Sequence, residues 1–235
     1  MVPVTSPDAA VRGGLGLRRK IELVSPVLRA AGHRLLAHPS VAAVYCEYLF
    51  ASHCVVRASV PLMEAALRQA QTMDDTLARH LTGYLQSHIA EELHHDEWLL
   101  EDLESLGIAR AGVLARPPSA AVAALVGAQY YWTLHYHPIA LLGYMAVLEG
   151  HPPSPEQIDI LMERTGFPTG AFRTLTEHAL LDPGHGDEIF VMLDELSLGD
   201  DLSAVVGLSA MHTVVALAEV IEAVVDAVPS TPHHS

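Results

Sequence analysis

The sequence predicts an all-α protein, built as a single-domain seven-helix bundle. Three observations support this fold class: apolar residues recur with helical spacing from residue 20 onward, strand-like alternation is nearly absent, and 50% of the residues are hydrophobic. A chain of 235 residues can bury one large core. We therefore predict one helical domain over residues 20–228, a disordered lead over residues 1–19 and a disordered tail over residues 229–235.

Helix limits follow from the positions of proline, glycine, serine and aspartate. The expected helices are 20–32, 39–72, 75–106, 118–149, 155–164, 168–196 and 200–228. Ser154 followed by Pro155 has the pattern of an N-cap and a first helical residue. Pro61, Pro138 and Pro183 fall inside helical patterns, where a proline kinks or breaks the helix because it lacks a backbone donor.

Charge composition argues against nucleic acid and anionic lipid as partners. The chain has 28 acidic and 13 basic residues and a formal net charge of -15, so it has no extended basic surface. Residues 204–228 are apolar enough to suggest a membrane span, but Glu219, Glu222 and Asp226 recur along one stripe. Such a stripe is typical of a core helix with one solvent-facing edge, and we expect no membrane insertion.

The two cysteines indicate a reducing compartment. Cys46 and Cys54 lie in an apolar segment and resemble small buried hydrophobic residues more than a disulfide framework. The N-terminal residues lack the apolar region that a secretory signal needs. We therefore expect a cytoplasmic protein.

A segment rich in potential metal ligands, HIAEELHHDEWLLEDLESLG, occupies residues 88–107. Glu92 and His95 are three residues apart, so their side chains can converge on one ion from one helix face. Glu91 could replace Glu92, and the pattern leaves open which of His94 and His95 coordinates. Alone, the segment is more typical of a solvated acidic face. We assign the following residues to such a solvated face: His94, Asp96, Glu97, Glu101, Asp102 and Glu104.

A second cluster lies in RTLTEHALLDPGHGDEIF, where His178, Asp182 and His185 are spaced i, i+4, i+7. This spacing places two imidazoles and one carboxylate on one stripe, as in half of a metal site. The alternative is an exposed helix end with a Pro-Gly break after Asp182. Pro183 would bend the helix between two of the proposed ligands.

Two further carboxylates stand in apolar surroundings. Glu149 ends the apolar run IALLGYMAVLEG, where a negative charge at the last helical turn opposes the helix dipole. A metal ion would compensate this charge, as would Arg164 or solvent exposure. Glu64 follows Pro61, Leu62 and Met63 on another helix, and ordinary exposure is its alternative.

Carboxylates and imidazoles projecting from several helices into a bundle are typical of sites that hold two iron or manganese ions. Oxygen and nitrogen donors without sulfur suit Fe(II) or Mn(II) better than structural zinc. The combination of the clusters is therefore much more specific than any one of them.

These residues resemble the heme-oxygenase-like diiron oxidases and oxygenases, also described as iron-containing redox enzymes. The resemblance rests on EELHHDEWLLEDLESLG, LGYMAVLEG and HALLDPGH, in that order, and covers roughly residues 40–196. It implies a seven-helix heme-oxygenase-like fold without heme. It also implies a set of metal ligands: Glu92, His95, Glu149, His178, Asp182 and His185, with Glu64 as an additional carboxylate.

The resemblance implies that two Fe(II) ions per chain bind O2 as a co-substrate and form a peroxo-type oxidant, with manganese as the alternative metal. The expected function is oxidation of a small organic substrate: an amine, an amino acid or a fatty acid. A homodimer and an external reductant are further expectations. Two alternatives stay open: a metal-independent thiaminase-like enzyme of the same fold, for which a reactive cysteine would be needed, and a non-enzymatic metal-binding or storage protein.

Overall fold

The structure of the protein is a computed structural model. It describes residues 13–150, 152–196 and 198–230, apart from the side chains of residues 181–186. All regular secondary structure in these residues is helical. The ten α-helices of the described ranges are α1 (Gly13–Ala37), α2 (Val41–Ala70), α3 (Thr76–Glu92), α4 (His95–Ser105), α5 (Arg110–Ala115), α6 (Ala120–His135), α7 (Leu141–Leu148), α8 (Pro155–Thr165), α9 (Arg173–Glu195) and α10 (Asp200–Ala227).

Several predicted helix limits were wrong. The first helix begins at Gly13, so residues 13–19 belong to α1 and not to a disordered lead. Leu17 in this segment is buried in the core. The segment therefore packs as part of the helix, although several residues around Leu17 are polar. Residues 1–12 lie outside the described part of the chain, as do residues 231–235 of the predicted tail.

Two long predicted helices are each divided. The predicted helix 75–106 breaks at Leu93 and His94, and the predicted helix 118–149 breaks after His135, before a short 3-10 helix at Pro138–Ala140. The second break follows from Pro138, which cannot continue the hydrogen bonding of α6. In contrast, α2 continues through Pro61 and α9 runs from Arg173 to Glu195 through residue 183. The α8 cap is confirmed: Ser154 and Gln157 form a capping box, with Pro155 as the first helical residue.

Helix α10 lies at the centre of the fold, packed against α1, α7 and α6. Within the described residues it is the one helix long and apolar enough to cross a membrane, but 61% of its most apolar window is buried inside the protein. This burial identifies α10 as a core helix. Its sequence is apolar because it contacts neighbouring helices on several sides.

The contact between α7 and α10 depends on Gly143. A Cβ atom at this position would lie 2.2 Å from the backbone oxygen of Val206 and 2.8 Å from the backbone nitrogen of Ala210. Because both are backbone atoms, the helices must move apart to admit a methyl group. We expect Gly143→Ala to lower the free energy of unfolding by about 1–3 kcal/mol, measured by thermal or urea denaturation.

Gly127 provides the control for that substitution. It lies inside α6, and no atom outside its own helix lies within 4 Å of a Cβ placed there. We expect Gly127→Ala to leave stability unchanged or to raise it by up to about 1 kcal/mol. Equal destabilisation by the two substitutions would contradict close α7–α10 packing.

A pH-dependent cap precedes the 3-10 helix. The Nδ1 atom of His137 accepts a hydrogen bond from the backbone N–H of Ile139 at 3.1 Å, which requires Nδ1 to be unprotonated. Burial lowers the pKa of His137 below its usual value. The unfolded chain therefore binds this proton at higher pH than the folded chain, so the stabilisation is present above pH ~6.5 and is lost as the pH falls below it.

Between pH 7.5 and pH 5, we expect the melting temperature to fall less for His137→Asn than for the wild type. The asparagine side chain also accepts a hydrogen bond, but it does not titrate in this range. A cap of this kind contributes about 1 kcal/mol, which corresponds to about 2–4 °C for a protein of this size. Thermal unfolding at several pH values measures the difference. The exposed neighbour His135 provides the control, and His135→Asn should retain the wild-type pH dependence.

Candidate metal centre

Three predicted ligands from α3, α4 and α9 meet in space. One potential ligand atom from each of Glu92, His95 and His178 lies within 4.8 Å of those of the other two. Glu92 accepts a hydrogen bond from Nδ1 of His95 at 3.1 Å, and only 13% and 7% of these two side chains are exposed. A carboxylate and two imidazoles at this spacing form a suitable N/O donor set for a divalent transition metal.

The break between α3 and α4 determines this geometry. His94 has φ 74 and adopts the left-handed conformation, which is costly for a residue with a Cβ atom. Glu92 therefore ends α3 and His95 begins α4, so the two candidate ligands lie on either side of a sharp turn. His95 is buried and His94 is exposed, and His95 is the imidazole that belongs to the group.

Packing restricts the orientation of both imidazoles. The rings of His95 and Trp98 stack with centroids 4.1 Å apart, and the His178 ring meets the His95 ring edge-on at 5.2 Å. Nδ1 of His178 lies 2.8 Å from the carbonyl oxygen of Thr174. Because a carbonyl can only accept, Nδ1 of His178 carries the proton, and Nε2 of the neutral ring keeps the lone pair that a metal needs.

Asp102 connects α4 and α9, the helices that carry His95 and His178. Its assignment to a solvated face was wrong. It is completely buried, and its carboxylate accepts a hydrogen bond from the backbone N–H of Thr174 at 3.0 Å, in the first turn of α9. Burial raises the pKa of Asp102 despite this hydrogen bond. The sequence contained a signal for this burial, because Asp102 is seven residues after His95, on the same buried face of α4 as Leu99 and Leu103.

Glu149 lies beside a histidine that the ligand prediction omitted. Nε2 of His88 lies 2.8 Å from Oε1 of Glu149, and the two side chains are 2% and 11% exposed. The His88 ring stacks on Tyr84 with centroids 5.4 Å apart. His88 precedes Glu92 by four residues and therefore shares its face of α3, which is the signal by which the sequence could have identified it.

The electrostatics favour the charged forms of His88 and Glu92. Burial alone lowers the pKa of His88, but the hydrogen bond to Glu149 and the nearby carboxylates outweigh it, and the net shift is upward. Burial likewise raises the pKa of Glu92, but the hydrogen bond from His95 and the charges of His95, His88 and His178 lower it below its usual value. Glu92 is therefore held as an anion, which is the form that binds a metal ion.

Members of both pairs line one cavity of about 620 Å³. His88, Glu92, Glu149 and His178 line it, and the remaining walls are mainly aliphatic. The volume is within the range of about 300–1,000 Å³ that is typical of small-molecule sites. An apolar chamber with imidazoles and carboxylates facing into it can hold an organic substrate next to a metal centre.

The structure places the other predicted ligands differently. Glu64 is not part of the group: its side chain is 51% exposed and lies 3.7 Å from Arg68 on the same helix, because position 64 is on the outer face of α2. The exposed Glu91 is also outside the group, and its carboxylate accepts a hydrogen bond from Ser87. Asp182 and His185 lie among the residues whose side chains are not described, so their prediction as ligands stays a prediction.

Neither cysteine faces the cavity. Cys54 is buried, and Cys46 is partly exposed on α2. Burial raises the pKa of both thiols, which disfavours the reactive thiolate.

Comparisons with known proteins agree with this arrangement. A family profile described as "iron-containing redox enzyme" matches residues 46–213, more than half of the chain. No curated protein matches the sequence. The matched range includes α3, α4, α7 and α9, and thus every element of the candidate metal centre.

Solved structures with similar folds have low sequence identity to this chain. A domain of unknown function with a heme oxygenase-like fold from Shewanella denitrificans OS217 has a TM-score of 0.75 at 20% identity, covering 89% of this chain and 90% of that chain. A TenA homolog from Pseudomonas syringae pv. tomato DC3000 has a TM-score of 0.66 at 13% identity, covering 87% and 92%. A CADD-like protein of unknown function from Nostoc punctiforme PCC 73102 has a TM-score of 0.66 at 15% identity, covering 91% and 98%. These similarities establish the heme-oxygenase-like fold.

Proposed function

Because this chain belongs to the family of iron-containing redox enzymes, we propose that it is an O2-dependent oxidase or oxygenase with two nonheme iron ions per chain. The observation that supports this most directly is the convergence of Glu92, His95 and His178 beside a cavity that also contains Glu149. Two iron ions held there would supply the activation of dioxygen. The substrate would be a small organic molecule in the cavity.

The donor groups of the described residues suit such ions. Glu92, His95 and His178 would contribute to binding, with Glu149 as a further carboxylate and Asp182 and His185 completing the set. All of these donors are oxygen or nitrogen atoms, which suits Fe(II) or Mn(II). Glu92 and Glu149 are each hydrogen-bonded to a histidine, an arrangement that orients metal ligands in many proteins.

The surrounding residues have three tasks in this proposal. The hydrogen bond from His88 holds the Glu149 carboxylate in place, and the Thr174 carbonyl fixes the His178 ring and its tautomer. Asp102 keeps α9 in register with α4. The aliphatic walls exclude water and keep a reactive species away from bulk solvent.

Anaerobic titration of the metal-free protein with Fe(II) tests the proposal. We expect two ions to bind per chain, and subsequent exposure to O2 should produce rapid oxygen consumption with a transient visible absorption band. Failure to bind iron stoichiometrically would contradict the proposal. Iron accumulating far beyond two ions per chain would indicate storage instead.

A thiol-dependent reaction of the thiaminase type receives less support, because neither Cys46 nor Cys54 lines the cavity. Alkylation of both cysteines should leave oxygen consumption unchanged. Loss of activity that scales with alkylation of Cys46, the more accessible thiol, would favour the metal-independent alternative.

We also propose that the protein functions as a cytoplasmic homodimer. Two free cysteines suit a reducing compartment.

An exposed apolar surface supports the proposed dimer. Four large apolar residues, Tyr131 and Leu134 of α6 and Leu208 and Val215 of α10, are between 41% and 65% exposed on two helices that contact each other. Analytical ultracentrifugation measures the oligomeric state.

A further inference from the structure

The cavity has a basic edge formed by α1. Arg29 and His33 are separated by four residues, so their side chains are neighbours on one face of the helix. Both line the cavity, and both are exposed to solvent. They therefore lie where the cavity opens to the outside.

The charge of Arg29 is available to a ligand. It is the only lysine or arginine among the described residues that line the cavity. Seven other arginines in the described part of the chain form ion pairs with acidic side chains, whereas Arg29 forms none there. Glu22 is the only acidic residue of α1 and lies about two turns away from Arg29. In a chain with a net charge of -15, an arginine without such a partner at a cavity opening is notable.

Away from the metal centre, the cavity walls are mainly apolar and include Val55, Leu148, Leu217 and Ile221. A zwitterionic ligand without an apolar body would leave these walls uncovered and would lose hydration on entry. An apolar molecule with one anionic end matches both the walls and the basic edge.

We propose that Arg29 and His33 form an anion subsite that binds the acidic head of an amphiphilic substrate, with its apolar body inside the cavity. The inference rests on the proposed function, because it assumes that the cavity holds the substrate.

Ligand binding to the metal-free protein tests the subsite without any enzymatic turnover. We would titrate decanoate and decan-1-ol, which share a chain length but differ in charge, by isothermal calorimetry. We expect one decanoate per chain, and Arg29→Gln should weaken decanoate binding by about 2–5-fold, as expected for an ion pair at a solvent-exposed edge. Binding of decan-1-ol should not change. Arg29→Lys should restore part of the affinity for decanoate.

Arg19→Gln is the matched control. Arg19 is an exposed arginine of the same helix, does not line the cavity and forms no ion pair with a described residue, so its loss should leave decanoate binding unchanged. Three outcomes would overturn the inference: no binding of decanoate to the wild type, equal affinity of the wild type and Arg29→Gln, or equal weakening of acid and alcohol binding.

The two proposals can fail independently. Decanoate binding that depends on Arg29 in a protein that binds no iron would contradict the oxidase proposal alone. Normal iron binding and oxygen consumption with decanoate binding indifferent to Arg29 would contradict the subsite alone.

Discussion

Glu92→Ala and His178→Ala proteins are expected to lose high-affinity iron binding and with it oxygen consumption. Each substitution removes one of three side chains whose potential ligand atoms lie within 4.8 Å of one another, so too few donors remain to hold the metal. The affinity loss should exceed the factor of about 10–100 that is typical for residues that only support a ligand. Calorimetric titration with Fe(II) under anaerobic conditions measures it, and O2 uptake measures the functional loss.

Glu64→Ala is the matched control for these variants. Glu64 was predicted as an additional ligand, but it is exposed and forms an ion pair within its own helix. An exposed ion pair contributes about 0–1 kcal/mol to stability. We therefore expect Glu64→Ala to keep wild-type folding, iron stoichiometry and oxygen consumption. Loss of iron from this variant would mean that α2 takes part in the centre.

His88→Phe is expected to weaken iron binding by about 10–100-fold, the second largest effect. Phenylalanine preserves the stacking on Tyr84 but removes the nitrogen that lies 2.8 Å from the Glu149 carboxylate. Without this donor, Glu149 can adopt orientations that do not favour the metal. The variant should also be less stable by about 1–3 kcal/mol, because a buried hydrogen bond to a charged group is lost.

His88→Gln separates positioning from packing, because glutamine can still donate a hydrogen bond to Glu149. It should retain more iron affinity than His88→Phe. His80 is an exposed histidine on the same helix, and His80→Phe should leave iron affinity unchanged. Equal iron affinity in His88→Phe and the wild type would show that His88 supports the fold and not the metal centre.

Helix type and the main ligand motifs were accessible from sequence because they depend on short-range spacing. The pattern Glu92-x-x-His95 predicted that these two side chains lie close together, and they do, but across the turn between α3 and α4 and not on one helix face. The helical class was equally accessible, since apolar periodicity and missing strand patterns need no tertiary information. The division of residues 75–106 was not accessible, because no glycine or proline marks the left-handed turn at His94.

The supporting residues were harder to recognise because their roles depend on partners far along the chain. Asp102 was assigned to a solvated acidic face, and His88 was not among the predicted ligands. Their partners, Thr174 and Glu149, are 72 and 61 residues away. Similarly, the exposure of Glu64 depends on which face of α2 packs against the bundle. The neighbouring helices determine that face.

The sequence by itself determined the all-helical class, the acidic and apolar balance, and the choice of nitrogen and oxygen donors, because these follow from composition and from spacings within single helices. The tertiary structure decided which donors meet, which are buried and what shares their cavity. Those properties arise from contacts between remote helices, and burial there changes the charge state and orientation of a side chain in ways that its neighbours in sequence do not reveal.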